Sequence, residues 1–306
     1  MRIVFIGEAM LELSRPQGIN DANIWRMGYG GDTLNTAIHM ARSGHDVAYF
    51  TALGADPFSD DLKTRWRAEG IDTSLVLTDP LRTTGLYAIS TDAHGERNFA
   101  YWRSDSAARQ MFDLSGSEAA VAEVAQADVI AYSLITLAIL APTAREKLFA
   151  LCKHVRGSGG KIVFDGNYRP RLWAAPAEAI AARDAALACA DIGLPTLEDE
   201  ALLAGARSAV AVAAHWQGLG CDETLVKLGA NGCRLPNGQI IAPPRVLSPL
   251  DTSGAGDAFN GGYLGARLSG ANVADAAMQG HRLAGWVVMH PGAIPPRTTY
   301  APYVPL

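Results

Sequence analysis

Short apolar runs alternate with amphipathic segments along most of the chain. Six runs have the length and the β-branched and aromatic content of buried strands: RIVFIGE, DVAYFTALG, DVIAYSL, KIVFDGN, ADIGLPT and ETLVKLG. Helical segments such as PTAREKLFALCKHVRGSGG lie between them. Buried strands separated by helices are typical of a parallel sheet that helices cover on both faces. The pattern therefore predicts a three-layer α/β fold with a mostly parallel central sheet.

Capping residues predict where two of the helices begin and end. Aspartate oxygens accept hydrogen bonds from the first N–H groups of a helix, and glycine adopts the left-handed conformation that often ends one. Asp32 is the expected N-cap of the helix TLNTAIHMAR, and Gly44 follows its last turn. In the next helix Asp56 is the expected N-cap, with Pro57 in the first turn and Gly70 at the end.

Two segments break the alternation. Residues 83–103 predict two strands around a turn at residues 92–95, and residues 11–31 lack helical periodicity and end in the glycine-rich GYGGD. We expect them to form a small β-layer that stands off the main body, within a single domain spanning 1–306. A further hairpin is expected at RLPNGQII, where Asn237-Gly238 supplies the turn.

The composition is that of a globular protein with a sizeable core. Of the 306 residues 49% are hydrophobic and 19% are charged, and the formal net charge is −5. A surface of this sign does not attract nucleic acid or an anionic membrane, so neither is an expected partner. The N-terminal MRIVFIGEAM is expected to be a strand rather than a signal peptide. The longest uncharged stretch, 129–144, is shorter than the ~20 apolar residues of a membrane span.

The cysteine and histidine spacings give no sign of a metal site. The four cysteines are widely separated and include no CxxC pair, and the seven histidines show no HxxxH or HExxH spacing. This favours buried free thiols in a reducing cytoplasm over a metal or disulfide role. The histidines are expected to be core or surface residues.

The stretch DTSGAGDAFNGGYLGARL, from Asp251 to Leu268, places two carboxylates around a glycine-rich turn that opens into a helix. The first N–H groups of a helix are unpaired and bind anions, and glycines let a phosphate come close to the backbone. Asp257, in the first turn, adds a carboxylate that could orient an attacking hydroxyl, while magnesium would neutralise the phosphate. These features indicate phosphoryl transfer; the alternative is a helix that merely begins after a glycine turn.

Two common nucleotide-binding motifs are missing. No GxxxxGK[ST] occurs, since Gly160-Lys161 is followed by Ile162, and no GxGxxG follows the first strand, where the chain reads FIGEAM. The sequence therefore argues against a P-loop NTPase and against a dinucleotide-dependent dehydrogenase.

The same glycine-rich stretch carries a family resemblance. DTSGAGDAFNGG resembles the C-terminal signature of the ribokinase-like (PfkB) carbohydrate kinases, and GYGGDTLNTAIHMARSG with ALGADPFSD resembles their first signature. The resemblance covers essentially the whole chain. Four stretches, GEAMLELS, GGDTLNTA, GLYAISTDAHGERNFAYWRSDSAA and FDGNYRPRLW, are similar to the 2-keto-3-deoxygluconate kinases of that family. The resemblance implies a ribokinase-like sandwich in which the small β-layer is a lid.

On the phosphate side, the resemblance implies that Asp257 is the general base and that Gly254, Ala255 and Gly256 form the anion hole. A carboxylate at a helix N-terminus is expected to have a lowered pKa, so its orientation would matter more than its basicity. Asp251 would be a phosphate-side or substrate-side partner, or else a turn-forming residue. The implied ATP contacts, unless KLGANGC is an ordinary hairpin, are Asn167, Lys227, Gly229, Gly232, Gly254 and Gly256.

On the sugar side, the carboxylate of a 2-keto-3-deoxy acid requires a cation with forked donor geometry. Tyr101 and Arg103 are two residues apart and share one face of a strand, from which Trp102 points away. Arg169 follows a strand end, where ligands of open α/β sheets bind. The alternative is an amphipathic β-layer with solvated arginines. The implied substrate contacts are Gly31, Asp32, Asn35, Tyr87, Tyr101, Arg103, Asn167, Arg169, Asp251 and Asp257.

The metal ligands are the part of the family pattern from which this chain departs. Many members carry an Asn-x-x-Glu motif linked to magnesium and phosphate, whereas LPTLEDE offers Thr196-x-x-Asp199. Asp199 would order metal-bound water, and Glu200 competes with it for that role. The expected cofactors are ATP and Mg²⁺.

The expected activity is transfer of the γ-phosphate of ATP to the terminal hydroxyl of 2-keto-3-deoxygluconate. A fructokinase or another ketose or nucleoside kinase is the alternative within the family, and a non-catalytic sugar-binding regulator is the alternative outside enzymes. Apolar residues on the exposed β-layer, including Leu86, Ile89 and Phe99, further predict a homo-oligomer, specifically a dimer through the lid.

Overall fold

The computed structural model describes residues 1–15, 23–91 and 97–303, so the expected turn at 92–95 lies outside the described residues. The strands are β1 (Arg2–Ile6), β2 (Met10–Ser14), β3 (Arg26–Gly30), β4 (Asp46–Gly54), β5 (Ile71–Asp72), β6 (Val76–Asp79), β7 (Gly85–Thr91), β8 (Arg97–Trp102), β9 (Val129–Ser133), β10 (Lys161–Asp165), β11 (Ile192–Gly193), β12 (Glu223–Thr224), β13 (Val226–Lys227), β14 (Cys233–Arg234) and β15 (Ile240–Ile241). The α-helices are α1 (Asp32–Arg42), α2 (Pro57–Ala68), α3 (Ser117–Val124), α4 (Leu134–Ile139), α5 (Pro142–Gly157), α6 (Pro176–Leu187), α7 (Leu197–Ala204), α8 (Ala209–Gly218), α9 (Ala255–Leu268) and α10 (Val273–Val287).

The central sheet has the order β12-β11-β10-β9-β1-β4-β5, with β6 also beside β4. Every strand pair recorded in it is parallel. The chain moves from β1 to one side of the sheet and later returns to the other side at β9. Ligand crevices form at such reversals, outside the carboxyl ends of the strands.

Helices cover both faces of the sheet, and β1 shows why. Val4 and Ile6 are buried in one core, and Ile3 and Phe5 in the other, because successive side chains of a strand point to opposite faces. The core of Val4 contains residues of α3 to α8, and the core of Ile3 contains residues of α1, α2, α9 and α10. The predicted three-layer α/β fold is therefore confirmed.

The expected caps are right for α2 and partly wrong for α1. Asp56 accepts a hydrogen bond of 3.0 Å from the backbone N of Ser59, and Gly70 has a positive φ after the last turn. The N-cap of α1, however, is Gly31 and not Asp32. Gly31 has φ +152°, and a side chain there would collide with the carbonyl of Glu8, so the chain enters the helix one residue earlier than expected. Asp32 is the first helical residue.

The small β-layer is a four-stranded sheet of order β3-β2-β7-β8. The two outer pairs are antiparallel, while β2 and β7 run parallel. The sheet uses both segments that broke the alternation, and β7 and β8 form the expected antiparallel pair. We call this sheet the β-layer. The third sheet, β13-β14-β15, contains the hairpin expected at residues 234–241.

Close helix packing brings α9 to the carboxyl end of the sheet. A side chain at Gly261 would meet His39 of α1 at 2.6 Å, and one at Gly262 would meet the carbonyl of Gln279 of α10 at 2.8 Å. The absence of side chains lets three helices approach each other at backbone distance. The N-terminus of α9 is thereby fixed beside α1.

The thiols and the helix lengths bear on two sequence expectations. All four cysteines are free and buried, and burial raises the pKa of Cys152 above its usual value. Within the described residues, no helix is long and apolar enough to cross a membrane.

Candidate active site

Asp257 lies in the first turn of α9, as expected, and α1 holds it. Asn35 donates from Nδ2 to Oδ2 of Asp257 at 2.7 Å, and the hydroxyl of Thr36 donates to the backbone carbonyl of Asp257 at 3.2 Å. The two residues that hydrogen-bond to Asp257 are thus neighbours in helix α1. Asp257 is partly buried, and the bond from Asn35 gives its carboxylate a fixed direction.

The pKa of Asp257 is raised to about 7 rather than lowered as the sequence led us to expect. Burial is the largest cause, and the carboxylates of Asp32 and Asp165 add to it, while the hydrogen bond from Asn35 and the charge of Lys227 oppose it. The helix N-terminus is outweighed because three carboxylates share a poorly solvated site. Asp257 therefore takes up and releases a proton near neutral pH.

Two glycines lie at the start of α9, Gly254 as its N-cap and Gly256 in its first turn, and the structure gives a different reason for each. Gly254 has φ +68°, and a side chain there would collide with Ala293. Gly256 is exposed and helical, and among the described residues only Nζ of Lys227, at 3.9 Å, is near the position of its missing Cβ. No packing contact within the described part of the chain requires glycine at position 256. The open space over the N-terminus of α9 is what an approaching phosphate needs.

Asp251 is 5% exposed, and its carboxylate accepts hydrogen bonds from the backbone of two separate segments. Oδ1 accepts from the N–H of Ser253 at 2.9 Å, and Oδ2 accepts from the N–H of Gly292 at 2.7 Å. Its carboxylate thereby ties the turn to the segment after α10.

Lys227 is 8% exposed and stands at the phosphate side of the site. Its Nζ donates to Oδ1 of Asp165 at 3.0 Å and to Oδ1 of Asn260 at 3.1 Å, and Asn260 donates back to Asp165 at 3.0 Å. Asp165 ends β10, and Asn260 lies one turn beyond Asp257 on α9. These contacts close a triangle that fixes the ammonium group next to Gly256.

The two glycines of KLGANGC, Gly229 and Gly232, differ in the same way as Gly256 and Gly254: one borders open space and the other is required by packing. Gly229 has φ +60°, is exposed and has open space around its missing Cβ. Gly232 is buried, and a side chain there would collide with the carbonyl of Ile241. Gly229 therefore borders free space, whereas Gly232 is required by the packing of β14 and β15.

Asp32 and Asn167 extend the cluster toward the β-layer. Asn167, which follows β10, donates from Nδ2 to Oδ2 of Asp32 at 3.1 Å. Burial raises the pKa of Asp32, Asp165 adds to the rise, and Arg103 of the β-layer partly offsets it. Asp32 is thus within electrostatic reach of both the phosphate side and the β-layer.

Tyr87 and Tyr101 face each other on paired strands, with ring centroids 6.0 Å apart. The hydroxyl of Tyr87 donates to Glu12 and lies against Gly30, where any side chain would displace it. Burial is the main cause that raises the pKa of Tyr87, and Asp257 contributes to the rise. The β-layer therefore places an aromatic wall near the carboxylate of α9. Trp102, on the other face, is 60% exposed.

Arg103 is nine-tenths buried at the base of the β-layer. Its Nη2 donates to Oε2 of Glu8, and the hydroxyl of Ser106 donates to Oε1 of the same carboxylate. Its Nε is buried and has no hydrogen-bond partner among the described residues. A buried guanidinium nitrogen without an acceptor is unfavourable, and a ligand oxygen would satisfy it.

Arg169 is more exposed, with 53% of its side chain accessible. Nη1 donates to the carbonyl of Tyr168 at 2.7 Å and lies 3.4 Å from Oδ1 of Asp199. Glu200 is instead buried in the core, where it accepts from Arg183 at 2.7 Å and from Trp216 at 3.1 Å. Of the two acidic residues that the sequence left open, only Asp199 faces the site.

The donor set suits a magnesium ion held mainly by phosphate and water. Burial raises the pKa of Asp199, and Asp165 adds to the rise, so a cation would favour its ionised form. Magnesium typically takes one or two carboxylates and keeps several waters. The described residues contain no cluster of three protein ligands, which is compatible with that mode of binding.

Sequence reasoning did not select Glu8, Asp165 or Asn260. Asp165 had a usable signal, because it ends a strand in FDGN beside Asn167. Asn260 had a weaker one, one helical turn after Asp257. Glu8 had none, because only the fold brings it to Arg103, 95 residues away.

The comparison with other sequences identifies the family. Residues 1–299 match the family described as pfkB family carbohydrate kinase. The chain is 42% identical over 306 residues to the 2-dehydro-3-deoxygluconokinase of Escherichia coli (strain K12), which covers 97% of each chain.

Solved structures agree in fold. Aminoimidazole riboside kinase from Salmonella enterica, in complex with aminoimidazole riboside and an ATP analog, superposes with a TM-score of 0.80 at 25% identity, over 99% of this chain and 97% of the other. Fructokinase from Vibrio cholerae O395, bound to fructose, ADP and a calcium ion, gives a TM-score of 0.81 at 26% identity, over 98% and 95%. The match to the family over nearly the whole length, with the glycine turn, Asp257 and Lys227 assembled at one edge of the sheet, shows that this chain belongs to the pfkB family of carbohydrate kinases.

Proposed function

We propose that the protein transfers the γ-phosphoryl group of ATP to the terminal hydroxyl of 2-keto-3-deoxygluconate. The observation that carries the proposal is a base with a pKa of about 7 at an open helix N-terminus, in the same electrostatic cluster as a buried arginine. Phosphoryl transfer needs such a base at a helix N-terminus, and the carboxylate of a sugar acid needs the buried arginine. The 42% identical E. coli relative, named 2-dehydro-3-deoxygluconokinase, supports the same substrate.

Asp257 accepts the proton of the attacking hydroxyl. As the oxygen–phosphorus bond forms and the bond to the β-phosphate oxygen breaks, the backbone N–H groups at the start of α9 stabilise charge on the transferred group. Lys227, held by Asp165 and Asn260, lies at the side of that charge. Asn35 keeps the carboxylate of Asp257 in one orientation, so the proton has a defined path.

Magnesium, when bound near Asp165 and Asp199, supplies positive charge that neutralises the phosphates. The waters it retains would be oriented by Asp199, in accord with the indirect role inferred from the sequence. The calcium ion in the fructokinase complex supports a divalent cation site in this family, and the ATP analog in the riboside kinase supports ATP as donor.

The sugar acid is bound between α1 and the β-layer. Arg103 and Arg169 provide the cations for its carboxylate, while Tyr87 and Tyr101 cover the carbon chain. Gly31, Asp32 and Asn35 form the opposite wall, where amide and carboxylate groups bind hydroxyls. The β-layer acts as a lid that excludes water from ATP and thereby limits its hydrolysis.

A coupled kinase assay over keto acids derived from gluconate and galactonate, fructose and ribose tests the proposal. We expect the highest kcat/KM on a keto acid and weak turnover of fructose. Arg103→Ala should raise the KM for the acid at least tenfold, because a buried charged hydrogen bond is lost. Robust fructose turnover together with an unchanged KM for the acid in Arg103→Ala would refute the sugar-acid assignment.

Fructose is the second candidate, since the fructokinase structure shares the fold and Glu8 already neutralises the charge of Arg103. A cytoplasmic location, favoured by the free thiols, belongs to the same proposal.

We also infer a dimer through the outer face of the β-layer. Strand β8 is at the edge of the β-layer, and its Trp102, on the face opposite Tyr101, is 60% exposed. An exposed edge strand can pair with a second chain, and tryptophan is enriched at protein interfaces. Light scattering at micromolar concentration should give twice the chain mass, and Trp102→Glu should reduce it. A monomer at that concentration in the unaltered protein would disprove the dimer.

A further inference from the structure

Glu8 is a fully buried carboxylate at the point where the β-layer joins the main sheet. It lies two residues after the end of β1, and its side chain has no accessible surface. Burying a carboxylate is costly unless charge and hydrogen bonds compensate it. Both of its oxygens have a partner on the β8 side of the β-layer, Arg103 on one and Ser106 on the other. A carboxylate buried at this cost is expected to have a specific role.

The segments that connect the β-layer with the main body come together around Glu8. The carbonyl of Glu8 lies where a side chain at Gly31 would be, and its Oε1 lies 2.8 Å from where a side chain at Gly85 would begin. Gly31 joins β3 to α1, and Gly85 begins β7. Residues 103–106 lead from β8 back to the body. Glu8 therefore contacts the three other segments that join the β-layer to the main body, at Gly31, at Gly85 and at residues 103–106.

The ion pair with Glu8 engages only part of the guanidinium group of Arg103. Glu8 takes Nη2, while Nε is buried without an acceptor among the described residues. A guanidinium is planar, so fixing one nitrogen and the stem fixes the direction of the others. The directions of the remaining donors are thereby fixed before any ligand arrives, which reduces the entropy lost on binding.

We propose that Glu8 is a positioning residue that orients Arg103 for the carboxylate of the sugar acid. It touches neither substrate nor ATP and acts through the arginine alone. This inference rests on the proposed sugar-acid function. It predicts that Glu8 affects the KM for the acid and leaves the phosphoryl-transfer step nearly unchanged.

The test is a double-mutant cycle between Glu8→Ala and Arg103→Ala, with KM and kcat measured for the keto acid and for ATP. Glu8→Ala should raise the KM for the acid about tenfold and change kcat and the KM for ATP less than threefold. The double variant should be no worse than Arg103→Ala, because Glu8 has no effect without the arginine. Independent effects that multiply, or an unchanged KM in Glu8→Ala, would overturn the proposal.

Glu8→Gln is the conservative variant, and it covers the case in which Glu8→Ala does not fold. The amide oxygen can accept from Arg103, and the amide nitrogen can donate to Ser106, whose hydroxyl accepts as well as donates. We expect its KM for the acid within threefold of the unaltered protein. A tenfold rise in this variant that persists in the Arg103→Ala background would show that Glu8 acts on something other than Arg103.

Two controls separate this result from other failures. Ser106→Ala removes one hydrogen bond to Glu8 but keeps the ion pair, so it should leave the KM for the acid within threefold. The substrate panel on the unaltered protein decides the proposed function by itself. If that panel showed a neutral ketose as substrate, the sugar-acid function would fail, whereas loss of the coupling between Glu8 and Arg103 on an acid substrate would refute only the positioning role.

Discussion

Asn35 donates a 2.7 Å hydrogen bond to the carboxylate of Asp257, 222 residues further along the chain. This bond joins α1 to the N-terminus of α9 and holds the base in one orientation. It also favours the ionised form of Asp257, against the burial and the neighbouring carboxylates that favour the protonated form. The protonation of Asp257 is therefore set by contacts from several elements of the fold.

The first prediction concerns pH. Since Asp257 must be ionised to accept a proton and its pKa is about 7, kcat/KM should rise with pH through that value and level off above it. Asp32→Asn removes a like charge and should move the rise to lower pH. Asn35→Ala removes the stabilising hydrogen bond and should move it to higher pH. Profiles from pH 5 to 9 measure both shifts, and shifts in the same direction would contradict this account.

The second prediction concerns catalysis. Asp257→Asn keeps the size and the contact with α1 but cannot accept a proton. General base catalysis contributes roughly 10²- to 10⁴-fold, so kcat should fall by that amount while the KM for ATP stays within threefold. Initial rates with saturating ATP measure the effect. ATP turnover equal to that of the unaltered protein would show that another group is the base.

The third prediction concerns stability. A carboxyl whose folded pKa is raised from 3.8 to about 7 favours folding when protonated, and this contribution is lost as the pH rises through 7. Asp257→Asn removes the titration. The variant should therefore be more stable than the unaltered protein at pH 8, by about 1–3 kcal/mol, and the difference should shrink toward pH 4. Urea unfolding at both pH values measures it. A variant less stable at pH 8 would contradict the raised pKa.

The fourth prediction compares the two glycines at the start of α9, Gly254 and Gly256. Among the residues that the structure describes, the side chain of Gly256→Ala meets only Nζ of Lys227, and the position lies in helix α9. The fold should therefore be unaffected while the KM for ATP rises at least tenfold. Gly254→Ala forces a side chain into Ala293 at positive φ and should destabilise the protein by about 1–3 kcal/mol. Melting temperatures and ATP kinetics separate the two. Equal loss of stability in both would contradict an open phosphate space at Gly256.

The sequence by itself determined the layers of the fold and the turn chemistry. The apolar runs that became β1, β4, β9 and β10, the caps of α2 and the position of Asp257 in the first turn of α9 all depend on residues within a few positions of one another. Backbone conformation and side-chain periodicity are local properties, so they can be read from the chain. Even so, Asp32 is not the cap of α1, because the carbonyl of Glu8 requires glycine one residue earlier.

Only the tertiary structure decided the electrostatics of the site. The pKa of Asp257 rises because Asp32 and Asp165, from other elements, are brought into a poorly solvated cluster with it. Glu8 neutralises Arg103 because the β-layer folds back onto the end of β1. Desolvation and charge interactions depend on distance in space, and no local pattern encodes which distant side chains will meet.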